Sequence, residues 1–187
     1  MNPGRRSLLS GAALVLGASA LGGLGSRARA EAPADSPAPA RRLALYNLHT
    51  DESLEVEYHR EGAYVPEALT ALEGLLRDFR TGDRHPMDPA LFDVLYDVAA
   101  RAGVDPQFRV ISGYRSAATN AMLHERSHGV ASRSMHLQGK AIDVRLARVD
   151  CAALATCGLA LGRGGVGYYR RSDFVHLDTG AVRSWRG

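Results

Sequence analysis

Apolar and polar positions alternate through the first stretch with the composition of folded chain. Leu43-Ala44-Leu45-Tyr46-Asn47-Leu48 and Ser53-Leu54-Glu55-Val56-Glu57-Tyr58 flank Asp51-Glu52 and predict a β-hairpin. The period then lengthens. Leu69, Leu72, Leu75, Leu76 and Phe79 recur at helical spacing over residues 65–79, as do Leu91, Val94, Leu95 and Val98 over residues 89–102. The second helix has Asp88 as N-cap, Pro89 in its first turn and Gly103 as its stop. Residues 108–111 form a short apolar run suited to a buried strand, ending at Ser112-Gly113-Tyr114-Arg115. Ser116 is placed to cap a helix over 117–126. Further strands are predicted at 140–145, 165–168 and 174–177, with a helix at 150–161 between the first two. Helices mixed with short strands make the fold α+β: a small, mainly antiparallel sheet flanked by helices.

The chain's beginning has a different pattern. Arg5-Arg6 precedes an apolar stretch over residues 8–24 rich in Ala and Gly, and Ala28-Arg29-Ala30 gives a small-x-small cleavage pattern. Residues 1–30 therefore read as a twin-arginine signal peptide, removed on delivery to the periplasm. An Ala/Pro-rich linker follows at 31–42, and one folded domain at 43–187. The leader changes the charge balance. Four of the 23 basic residues lie in it, leaving 19 against 20 acidic residues. A near-neutral mature domain gives no reason to expect nucleic acid as a partner, nor stable membrane insertion once the signal is removed, and a monomer is expected.

Export permits disulfides, so the two cysteines need a reading. If residues 150–161 form one helix, Cys151 and Cys157 are separated by roughly 9 Å of rise, beyond the roughly 7 Å limit for a bridge. Two buried free thiols are expected.

The chemistry concentrates late in the chain. In Ser134-Met135-His136-Leu137-Gln138-Gly139-Lys140-Ala141-Ile142-Asp143, a His and a carboxylate can meet if the chain turns at Gly139. Asp173-Phe174-Val175-His176-Leu177-Asp178 places a second His in a short β-like segment between acids. Hydrolytic zinc sites commonly take three ligands from His and Asp/Glu and leave a fourth position open, and His136, Asp143 and His176 supply such a set. Asp173 is a candidate base, provided the chain bends before His176, because residues three apart on a strand face opposite sides. Arg115, a permanently charged fork, is a candidate partner for the carbonyl oxygen. Each element alone has an ordinary reading as a satisfied core His, a solvated turn acid or an ion-paired Arg.

The combined pattern is more specific. Ser134-x-His136-x-x-Gly139-x-Ala141-x-Asp143 followed by Asp173-x-x-His176 resembles the signature of the zinc D-Ala-D-Ala peptidase superfamily, and within it the YcbK/MepK-like murein endopeptidases. The likeness extends through Leu45-Tyr46-Asn47-Leu48-His49-Thr50, Arg77-Asp78-Phe79-Arg80-Thr81-Gly82, Asn120, Gly164-Gly165-Val166-Gly167-Tyr168-Tyr169 and Trp185. It implies a zinc D-Ala-D-Ala peptidase/hedgehog-like fold and hydrolysis of peptidoglycan peptides. It also implies Zn2+ on His136, Asp143 and His176, with Asp173 as base, Arg115 on the scissile carbonyl, and Ser134 and Tyr114 near substrate. Some murein peptidases carry a second His two residues before the last ligand, where this chain has Phe174. A carboxypeptidase or dipeptidase on small wall fragments, and a non-catalytic zinc module, are the alternatives on the same scaffold. Tyr168, Tyr169 and Trp185 are placed either to wall a groove or to pack in the core.

One motif competes. His124-Glu125-Arg126-Ser127-His128 fits H-E-x-x-H, with Asp143 or Asp150 as an imaginable third ligand. Gly129 directly after His128 would end the helix under the second ligand, so His124 and His128 read as polar surface positions.

Overall fold

The computed structural model describes residues 39–126 and 131–187. The segment expected to be a signal peptide, most of the expected linker and His128 lie outside the described residues. Strand order begins at Arg41, two residues before the domain start read from the sequence.

The elements run β1 (Arg41–Asn47), β2 (Ser53–Arg60), β3 (Ala63–Tyr64), α1 (Pro66–Leu75), α2 (Pro89–Ala102), β4 (Gln107–Ser112) and α3 (Ala117–Arg126). They continue with β5 (Ala141–Leu146), α4 (Cys151–Leu161), β6 (Gly165–Tyr169), β7 (Phe174–Asp178) and β8 (Arg183–Arg186). A short 3-10 helix, Met135–Gln138, precedes β5. The predicted hairpin is β1–β2, paired antiparallel with Leu45 opposite Leu54. Asp88 caps α2 through the Ala90 amide, and Gly103 ends that helix in the left-handed conformation, as its sequence implied.

The expected sheet needs correction. It has eight strands in the order β3-β2-β1-β4-β5-β7-β6-β8 and is mixed rather than mainly antiparallel. β1 pairs parallel with β4, and β6 parallel with β8. The connection from the first hairpin to β4 carries α1 and α2, long enough to return the chain in the same direction. β8 has no alternation to reveal it: Arg183, Ser184 and Arg186 are exposed and only Trp185 is half-buried.

Helix α1 is also shorter than its apolar spacing suggests. Leu76 leaves helical geometry, and its carbonyl accepts from the Tyr114 amide at 2.8 Å instead of continuing the helix. A tertiary partner ends this helix.

Helices α1, α2 and α4 share one core with the sheet. Ile142, Val144 and Leu146 of β5, with Val175 and Leu177 of β7, enter that core, so Asp143 and His176 point to the opposite face by strand alternation. α4 carries both cysteines as free thiols, Cys151 buried and Cys157 half-buried.

Candidate active site

A row of paired residues crosses the sheet. Ser112 on β4 lies opposite Asp143 on β5, Asp143 opposite His176 on β7, His176 opposite Gly167 on β6, and Gly167 beside Trp185 on β8. A register irregularity between Val110 and Ser112 marks the β4 end of this row. Gly167 has no side chain, and a Cβ there would stand 2.5 Å from the indole of Trp185. The vacant space lets Trp185 fold inward, with its ring centroid 5.1 Å from that of His176.

His136 arrives from outside the sheet. Ser134 caps the 3-10 helix by accepting from the His136 amide, and Gly139 closes it in the left-handed conformation. The Gly113–Ser116 turn is held at every step. The Gly113 carbonyl accepts from His136 Nδ1 at 2.6 Å, Tyr114 N donates to Leu76 O, and Arg115 N donates to His136 O. Ser116 N donates to Asp78 Oδ2 at 2.9 Å.

Three ligand-type atoms converge: His136 Nε2, His176 Nδ1 and Asp143 Oδ1, separated by 3.2, 2.9 and 3.3 Å. Four ligands about 2.0–2.1 Å from one ion define a tetrahedron with edges of about 3.3–3.4 Å, so the spacing fits a tetrahedral ion. The outer atoms fix the tautomers. His136 Nδ1 donates to the Gly113 carbonyl and His176 Nε2 to Asp178 Oδ2 at 3.0 Å, which turns the other nitrogen of each ring inward as a lone pair. Among the described residues, this His-Asp-His set forms a buried group able to hold a metal ion.

The electrostatics agree. Burial pushes the His136 ring below the usual imidazole range, which favours the neutral ligand form. Burial alone would raise Asp143, but the two imidazoles outweigh it and hold this carboxyl below the carboxylate range. At His176, burial acts downward, and hydrogen bonds to Asp143 and Asp178 overcome it and raise the pKa. Carboxylates on both sides of that ring favour positive charge there, which a cation would supply.

The sequence-predicted residues fall into two groups. His136, Asp143, His176, Arg115 and Ser134 line one cleft of about 470 Å³, together with Tyr169, Phe174 and Trp185. Arg115 Nη2 meets Asp143 Oδ2 at 2.8 Å, and its Nε donates to Ser112 Oγ. This leaves Asp143 Oδ1 for the imidazoles. Asp173 stands at φ 52°, so the chain does turn there, but its carboxylate is 69% exposed and pairs with Arg145 at 3.0 Å. Tyr114 stacks on His85, with ring centroids 4.8 Å apart, and Tyr168 packs against the core. His124 is exposed on α3, and Asp150 caps α4 through the Ala153 amide.

Residues 35–185 match the family described as peptidoglycan L,D-endopeptidase MepK. The chain belongs to that family. A probable peptidoglycan L,D-endopeptidase MepK of Haemophilus influenzae is 44% identical over 153 residues, covering 81% of this chain and 82% of that protein. The peptidoglycan L,D-endopeptidase MepK of Escherichia coli K12 is 41% identical over 172 residues, covering 92% and 94%. No solved structure matches.

Asp178 is the residue of this MepK-family site that motif reading passed over. Its carboxylate accepts from His176 Nε2, from Arg183 through both terminal guanidinium nitrogens, and from the Gly165 and Gly180 amides. The signal was present: His176 and Asp178 are two apart on a strand and share a face. Asp178→Asn is expected to weaken metal binding about 10–100-fold while the fold persists. Competition against a chromogenic chelator measures this, and an unchanged affinity would deny Asp178 the orienting role.

Asp78 supports the opposite wall. It is buried and accepts from the Ser116 and Arg80 amides. Burial alone would raise its pKa, but hydrogen bonds from Thr119, Ser116 and Arg80 outweigh it and lower the value to about 2. A carboxylate whose folded pKa is depressed stabilises above its unfolded pKa, and the contribution disappears as pH falls through the folded value. The stability difference between wild type and Asp78→Asn is therefore expected to shrink by about 2 kcal/mol from pH 5 to pH 2. Urea unfolding across that range is the measurement, and a difference constant with pH would refute the account.

Proposed function

We propose that this chain is a periplasmic zinc endopeptidase that cuts a peptidoglycan peptide bond joining an L-configured to a D-configured residue. Membership in a family of peptidoglycan endopeptidases supports the reaction and substrate class. The carrying observation for metal dependence is the 2.9–3.3 Å convergence of His136, Asp143 and His176, with both imidazole tautomers set. When bound, the ion supplies Lewis acidity toward the scissile carbonyl and the attacking water. The leader pattern around Arg5-Arg6 supports export by the twin-arginine route.

The chain's own residues fill the remaining roles. Arg115 spends two of its donors on Asp143 and Ser112, leaving three to receive the developing carbonyl charge. Asp173 is the proposed base, taking a proton from water and returning it to the leaving amine. Its neighbours Ser172 and Phe174 line the cleft, while its own carboxylate meets Arg145 and the Cys151 thiol, so the role requires the side chain to leave these partners and turn toward the cleft. Ser134, on the cleft wall, and Tyr114, stacked on His85, are the proposed substrate contacts.

Digestion of purified sacculi by the zinc-loaded protein tests this, with released fragments identified by mass spectrometry. Cleavage within cross-links is expected. Release of terminal residues alone would replace the endopeptidase reading with a carboxypeptidase, and full activity of Asp173→Ala would remove Asp173 as base.

A further inference from the structure

The cleft is unevenly charged. Beyond the leader the chain is almost neutral, yet three arginines line this cleft (Arg115, Arg133 and Arg183) against one carboxylate, Asp143. A bound divalent cation would increase the excess. Two of these arginines are already committed. Arg115 is held by Asp143 at 2.8 Å, and Arg183 meets Asp178 through both terminal nitrogens at 2.6 and 3.1 Å.

Arg133 differs from both. It is exposed, lines the cleft beside Ser134, and has no carboxylate partner among the described residues. Its backbone is anchored on both sides. Asn120 Nδ2 on α3 donates to the carbonyls of Ala131 and Ser132, at 3.3 and 3.4 Å. On the other side Ser134 starts the 3-10 helix that carries His136. The guanidinium is thus mounted three residues from a metal ligand, on a segment fixed to the same element. A fork-shaped cation in such a place matches a carboxylate by two parallel hydrogen bonds.

We propose that Arg133 is a specificity residue that binds a free carboxylate of the substrate peptide close to the scissile bond. The inference rests on the murein endopeptidase reading and deepens it, because it requires an anionic peptide in the cleft. An uncharged peptide would leave the Arg133 cation without a counter-charge inside the cleft.

The test compares two synthetic stem peptides spanning the cleaved bond, one with its carboxylates free and one with them amidated. Wild type is expected to favour the free-carboxylate peptide in kcat/KM. Arg133→Gln is expected to reduce that preference roughly tenfold, the value of one charge-assisted contact, with the change mainly in KM. Arg133→Lys should keep part of the preference, since the charge remains and the fork is lost. A preference unaltered in Arg133→Gln, with its melting temperature matching wild type, would overturn the inference and leave the endopeptidase reading standing. Failure of wild type to cleave either peptide would overturn that reading and this inference with it.

Discussion

His136→Ala is expected to abolish stoichiometric zinc binding and to lower kcat/KM on sacculi on the order of 10³-fold or more. Losing the Lewis acid forfeits several kcal/mol of transition-state stabilisation, and each ~1.4 kcal/mol is a factor of ten. The imidazole is 1% exposed and bonds to Gly113, so truncation also removes a buried hydrogen bond and leaves a void. Asp143→Asn separates the two effects. It conserves volume and keeps an oxygen toward Arg115, but removes the ligand charge that both imidazoles face. Its melting temperature should stay closer to wild type than that of His136→Ala, with a comparable loss of activity. Metal analysis beside His124→Ala completes the comparison. Zinc retained in His136→Ala and absent from His124→Ala would transfer the site to the competing motif.

Gly139→Ala is expected to cost about 3–5 kcal/mol of stability, large for adding one methyl group. Gly139 sits at φ 64°, where a non-glycine residue costs about 1–2 kcal/mol. The added Cβ would also stand 2.1 Å from the Pro86 carbonyl oxygen and 3.1 Å from His85 Nδ1. A backbone oxygen cannot swing aside as a side chain can, and the Gly139 carbonyl is itself held by the Asp88 amide at 2.9 Å. Relief of the clash must therefore move the link between His136 and Asp143, and metal affinity should fall together with stability. Gly103→Ala is the control. It has a similar φ of 71° but nothing within 4 Å of the added atom, and should lose only about 1 kcal/mol. Equal losses in the two variants, measured by urea unfolding, would show that backbone strain alone decides and that the Pro86 contact is unimportant.

Local patterns carried much of the site. The His136–Gly139–Asp143 spacing required a turn at Gly139, and the structure has a left-handed residue there. The Asp173–His176 spacing required a bend, and Asp173 has positive φ. These are constraints of a few bonds, readable wherever neighbouring residues must meet. Where the bend sends the Asp173 side chain was not readable, because Arg145, its partner, lies on another strand. Asp178 could have been inferred from its spacing to His176. Its clamp by Arg183 could not, since β8 leaves no alternating pattern in the sequence.

By itself the sequence determined the strands and helices with clear apolar periods, both caps of α2, the free cysteines and the His-Asp-His trio able to hold a metal ion, all properties of short-range geometry and residue chemistry. Tertiary structure alone decided the strand order with its two parallel pairings, the early end of α1 at Tyr114, and the tautomers set by Gly113 and Asp178. It also separated the committed arginines of the cleft from Arg133. The reason is the same throughout. A side chain's type and spacing limit what it can do, but its partner comes from a distant part of the chain, and only the folded backbone chooses which one arrives.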